Sequence, residues 1–87
     1  MALVVKILGF GCVRCRELER EVRAVVQDQG IAAHIERVED LMEMLRYRPL
    51  ALPGLVVNER LVCAGRVPSK AELVQLLKAD DNQKMER

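Results

Sequence analysis

This 87-residue sequence predicts an α/β domain: a four-stranded mixed sheet covered by helices, in the order β-α-β-α-β-β-α. Three observations carry that reading. A short apolar run, Leu3 to Leu8, is closed by Gly9, and helical spacing begins a few residues later. Past the middle of the chain, two apolar runs flank Asn58-Glu59-Arg60 and lead into a last amphipathic segment. A β-α-β start pairs its strands in parallel, and a hairpin can only add antiparallel ones.

The elements follow in order. "LVVKIL" is nearly continuous in apolar, β-branched residues, the look of a strand covered on both faces. From Cys15 the apolar positions step by three or four through Leu18, Val22, Val25 and Val26, with charges between them, and Gly30 ends that helix. Ile31, Ala33 and Ile35 then alternate with Ala32, His34 and Glu36, which marks a second strand. Asp40 and Glu43 stand in capping-box spacing before Leu41, Met44 and Leu45, so a short helix starts there, with Met42 and Met44 as core filler. "PLALP" is a loop, and "GLVVNERLVCAG" is the hairpin. Ser69 and Glu72 open the last helix, whose apolar face holds Leu73, Val74, Leu76 and Leu77. The domain is expected to span residues 1–79, with 80–87 a frayed polar tail.

A chain this short buries only about 60% of the surface it exposes when unfolded, so its core must be densely apolar or stapled. Hydrophobic residues make up 51% of it, yet there is one Phe, one Tyr and no Trp, so valine and leucine carry the packing. Three cysteines are too few for a secreted disulfide scaffold. The N-terminal apolar run is broken by Lys6 and is too short for a signal segment or a spanning helix. A cytoplasmic protein is expected, away from membranes. The net charge of +1 gives no pull toward nucleic acid.

"GFGCVRC" places Cys12 and Cys15 at the strand-to-helix junction. The first turn of a helix leaves backbone N–H groups unpaired, and its dipole adds partial positive charge, both of which favour thiolate over thiol. Lowering a thiol pKa from about 8.5 to about 7 takes roughly 2 kcal/mol. The dipole supplies about 0.3–1 kcal/mol of that. N–H···S bonds within the turn, with Arg14 or Arg16 nearby, must supply the rest. Cys15 begins the apolar stripe and should be sheltered, whereas Cys12 lies outside it and can face solvent. Thiol–disulfide exchange uses that asymmetry.

"GFGCVRC" after a first strand, "ALPG" before a hairpin and "GRVPSKAEL" into a final helix resemble the small thioredoxin/glutaredoxin-like redox-active disulfide proteins, over essentially Ala2 to Leu77. The resemblance implies a thioredoxin-like fold and a thiol–disulfide oxidoreductase. Cys12 would be the nucleophile and Cys15 the resolving thiol. Pro53 would be a cis-proline facing the pair, with the Leu52 backbone pairing with an extended substrate segment. Its partners would be a protein disulfide or dithiol client and a disulfide reductase, with no cofactor beyond the cysteine pair. Where thioredoxins carry a buried carboxylate six residues before the first cysteine, this chain has Lys6. Gly65-Arg66-Val67 stands in place of the glutaredoxin Gly-Gly-x-Asp segment, which argues against glutathione. Lys6, Arg14, Arg16 and Arg66 are candidates to tune the pair or meet a partner.

Two other classes stay open. A C-x-x-C can clasp a soft metal such as copper or zinc, although Phe10 stands where copper-type domains usually have Met and the chain ends on a helix. A closed zinc site needs four ligands, and the only residues on offer are Cys12, Cys15, Cys63 and His34, with His34 on the polar side of its strand, so no metal site is expected. The third class is a non-catalytic thioredoxin-fold interaction domain. Cys63 reads as a buried small hydrophobe on the last strand. The protein is expected to be a monomer or a weak dimer.

Overall fold

A computed structural model describes residues 3–85. Its elements run β1 (Leu3–Leu8), α1 (Val13–Gln29), β2 (Ala33–Val38), α2 (Leu41–Leu45), β3 (Gly54–Val57), β4 (Arg60–Ala64) and α3 (Lys70–Met85). One sheet of order β2-β1-β3-β4 results. β1 pairs in parallel with β2 and antiparallel with β3, and β3 pairs antiparallel with β4. The predicted order and mixed sheet are therefore both present.

Alternation along the strands divides the interior in two. Leu3, Val5 and Ile7 of β1, with Leu55 and Val57 of β3, face α1 and α3, and pack with Leu18, Val22, Val25, Leu73 and Leu77. The opposite face carries Leu8, Val38 and Val56, covered by Met44 of α2 with Tyr47 and Leu61 at the margin. The four stripe positions of α1 at Cys15, Leu18, Val22 and Val25 are all buried, as their spacing predicts. Gly30 ends α1 in the left-handed region at φ 64°, where its N–H reaches back to Gln27 and Val26 carbonyls.

Three features differ from the sequence reading. Met42 is not core filler: it is 70% exposed, and Leu41 and Leu45 are each 55% exposed. A helix of five residues turns only one side to the sheet, and Met44 takes it. The β3–β4 ladder shifts register between Leu55 and Val56, a β-bulge that periodicity does not reveal. α3 continues through residues 80–85, where a frayed tail was expected. No glycine or proline intervenes there to stop it. Residues 86–87 of that tail lie outside the described residues.

The hairpin tip is unusual in having two non-glycine residues at positive φ, Asn58 at 49° and Glu59 at 69°, as a two-residue turn of the twisted kind requires. Side-chain bonds hold both in place. Asn58 receives the Val4 N–H on Oδ1 at 2.9 Å and donates its own N–H to Val4 O at 2.8 Å. Glu59 accepts from the Tyr47 hydroxyl at 2.9 Å and pairs with Lys6 at 3.1 Å, while Lys6 Nζ donates to Tyr47 at 2.8 Å. This cluster ties β1, α2 and the hairpin together.

Two predictions follow from packing and charge. Leu18→Ala should lower unfolding free energy by about 2–5 kcal/mol in urea titration, whereas Leu50→Ala at a 99% exposed site should change it by about 0.5 kcal/mol or less. The Tyr47 hydroxyl, then Lys6, lowers the Glu59 pKa below its ordinary 4.5, so this contribution is lost as pH falls through that range. Bonds to Tyr47 and then Glu59 raise Lys6 above its ordinary 10.5, so that contribution is lost only at higher pH. Tyr47→Phe should therefore lower the urea midpoint most between those two values, and the deficit should shrink toward acid.

Candidate active site

The site is built where β1 hands over to α1. Gly9 continues the β1 pairing by donating its N–H to Val38 O at 3.1 Å. Gly11 then turns the chain at φ 81°, a conformation that favours glycine. Cys12 is the N-cap of α1, with extended backbone at φ −71° and ψ 172°. Its carbonyl accepts the Arg16 N–H at 3.0 Å, and its sulfur accepts the Cys15 N–H at 3.3 Å. The cap is thus a thiol in place of the usual hydroxyl or carboxylate.

Cys12 is exposed and Cys15 is buried at 5%, the disposition that the helical stripe predicts. Both thiols are free and their sulfurs lie 2.7 Å apart. The bond from the Cys15 thiol, then the Cys15 backbone N–H, lowers the Cys12 pKa below the ordinary thiol value, with a smaller contribution from the Arg14 N–H. Burial, then the bond with Cys12, raises that of Cys15. The two environments push the acidities of the pair apart, the exposed sulfur toward thiolate and the sheltered one toward thiol.

The sheet brings the third element alongside. Leu8 pairs with Gly54 across β1 and β3, so the next residues, Gly9 and Pro53, lie at the same end of the sheet. Gly54 pairs with Ala64 across β3 and β4, and the following Gly65 N–H donates to Pro53 O at 2.8 Å. The Leu52–Pro53 peptide bond is cis. Pro53 is buried and Leu52 is 37% exposed. Phe10 and Val13, on either side of Cys12, are 60% and 81% exposed.

The basic candidates separate into two groups. Arg14 and Arg16 are exposed in the first turn of α1. Lys6 bonds Tyr47 and Glu59, and Arg66 pairs with Glu72 of α3 with one N–H···O contact at 2.8 Å, so neither spends its bonds on the cysteine pair. His34 lies exposed on β2 beside Glu36, and Cys63 is buried on β4 with its sulfur 4.0 Å from Arg66 O. Among the described residues, no three of the histidine, cysteine and acidic side chains form a group that could hold a metal ion. Two glycines that the sequence reading did not place beside the cysteine pair belong to the site. A Cβ on Gly9 would stand 2.2 Å from Cys15 Sγ, and one on Gly65 would stand 2.9 Å from Ala51 Cβ. Their only signal in the sequence is their position, flanking "CVRC" and ending the hairpin.

An exposed, acidified cysteine capping a helix, with its buried partner one turn on and a proline loop beside them, defines a dithiol protein of thioredoxin fold. Comparison with known proteins places the chain more narrowly. The family described as thioredoxin domain matches residues 3–78. A thioredoxin of Methanothermobacter thermautotrophicus is 38% identical over 73 residues, covering 84% of this chain and 95% of that protein. A thioredoxin of Methanocaldococcus jannaschii is 31% identical over 77 residues, 88% of each chain. Among solved structures, the germline-specific thioredoxin Deadhead of Drosophila melanogaster superposes with a TM-score of 0.64 at 18% identity, covering 90% of this chain and 80% of that one. Thioredoxin-2 of the malaria parasite gives 0.64 at 16% identity, covering 90% and 82%. The chain belongs to the thioredoxin family, and its activity is that of a thiol–disulfide oxidoreductase.

Alkylation should distinguish the cysteines by pH. In the native reduced protein, iodoacetamide mapped by peptide mass should modify Cys12 with a midpoint below the ordinary thiol value, and Cys15 with a midpoint above it. A single shared midpoint would contradict the asymmetry.

Proposed function

We propose that Cys12 is the attacking thiolate and Cys15 the resolving thiol in exchange with a protein disulfide. The observation that carries this reading is the opposite placement of the two sulfurs: Cys12 is exposed and accepts the Cys15 N–H, whereas Cys15 is buried beside it. Cys12 Sγ attacks one sulfur of the client disulfide, the client's S–S bond breaks, and one client thiolate leaves to take up a proton. Cys15 then loses its proton and attacks Cys12 Sγ. That displaces the second client thiolate and leaves a Cys12–Cys15 disulfide, so two electrons have passed to the client. A disulfide reductase restores the dithiol, and no cofactor other than the pair takes part.

The client docks as an extended segment along Leu52 and Pro53, with Phe10 and Val13 offering apolar contact beside the sulfur. Arg14 and Arg16 meet the client, whereas Lys6 and Arg66 are engaged with carboxylates of the protein itself. The setting is the cytoplasm. Gly65-Arg66-Val67, in place of a Gly-Gly-x-Asp segment, argues against glutathione as the substrate. The protein works as a monomer or weak dimer.

Cysteine variants test the assignment. Cys12→Ser should abolish reduction of a disulfide-bonded protein substrate, and Cys15→Ser should accumulate a mixed disulfide visible as an intact-mass adduct. Full turnover by Cys15→Ser would sink the division of roles.

A further inference from the structure

Gly9 is buried at the end of β1, and its N–H is fixed to the Val38 carbonyl, so the sheet holds its backbone in place. It differs from Gly11 in what requires glycine. Gly11 needs the left-handed region, at φ 81°, and has no closer neighbour for a Cβ than Glu39 Oε2 at 3.6 Å. Gly9 lies outside that region, and what it lacks is room: a Cβ there would meet Cys15 Sγ at 2.2 Å and Cys15 Cβ at 3.3 Å. Carbon and sulfur settle at about 3.5–4 Å, so the sulfur would have to leave. The staggered wells of χ1 lie about 120° apart, and a rotation of that size carries Sγ away from its present partner.

We infer that Gly9 is the positioning residue of the resolving cysteine: its bare Cα is the seat of Cys15 Sγ, and that seat keeps the sulfur 2.7 Å from Cys12. The inference rests on the reading of Cys12 as attacking and Cys15 as resolving thiol, and adds a third residue to it. Gly9 touches no substrate. It acts through the sulfur, by leaving the end of β1 open where any other residue would fill it. Both properties of the pair depend on that seat. Burial of Cys15 against the strand favours its thiol form, and its nearness to Cys12 lets that thiol hydrogen-bond the exposed thiolate.

The test is the pH dependence of Cys12 alkylation, which needs no client and so stands apart from the turnover assays. Four reduced proteins are compared: the parent, Gly9→Ala, Cys15→Ala, and the double variant. Gly9→Ala in the parent should move the Cys12 midpoint upward and slow its alkylation at pH 7 by about fivefold to tenfold. In the Cys15→Ala background, where no sulfur competes for the space, the same substitution should change the rate by about twofold or less. Equal effects in the two backgrounds would overturn the inference, because the methyl would then act on the backbone. An unchanged profile for Gly9→Ala alone would also overturn it. Should Gly9→Ala fail to fold, the double variant decides: folding on removal of the sulfur supports the seat, and failure of both refutes it. Retained turnover by Cys12→Ser would instead defeat the exchange reading and leave the alkylation comparison intact.

Discussion

The pairing of β1 on both sides is the constraint on which the rest depends. Because Leu8 is matched to Val38 on one flank and to Gly54 on the other, the residues just beyond the strand ends are set side by side. Gly9, Pro53 and Gly65 therefore form a row across three strands, although 56 positions of sequence separate the outer two. A slip of one residue in either ladder would turn Val5 and Ile7 out of the larger core, which is a strong penalty against misalignment. The geometry around the cysteines is thus enforced by hydrophobic burial well away from them.

Electrostatics at the site draws on short-range bonds more than on the helix as a whole. A macrodipole contribution of about 0.3–1 kcal/mol falls short of what a thiol needs to ionise near neutrality. The capping geometry adds to it by bringing the Cys15 N–H and the Cys15 thiol to one sulfur, which lowers its pKa further. The same bond has the opposite effect on its donor, which burial already holds protonated. Burial of Cys15 and this hydrogen bond together set the two acidities apart. Arg14 and Arg16 add charge at the rim, where solvent screens it.

Much of the fold could be read from residue order. Continuous apolar character marked β1, steps of three and four marked α1, and the Ser69–Glu72 spacing marked the start of α3, because in each the local pattern and the tertiary environment agree. The reading failed where one local pattern serves two environments. Leu41, Met42 and Leu45 look as apolar as Met44, yet only one of the four reaches the sheet, since that depends on where a five-residue helix is docked. Lys6 was read in relation to the cysteines, whereas its partners are Tyr47 and Glu59, 41 and 53 positions away. The cysteine pair and the proline were visible as a motif. The space that Gly9 leaves was not, because a distance between a strand end and a helical sulfur has no signature in sequence.

The hairpin tip carries a last consequence. Loop tips are the customary place to splice a peptide, a tag or a circular-permutation joint, since little usually hangs on them. Here the two residues of the turn hold the peptide of Val4, the ammonium of Lys6 and the hydroxyl of Tyr47. Opening the chain at Asn58–Glu59 would release β1 at its middle and α2 at its end in a single cut. For anyone grafting onto this scaffold, this two-residue turn is a keystone, and the graft belongs elsewhere.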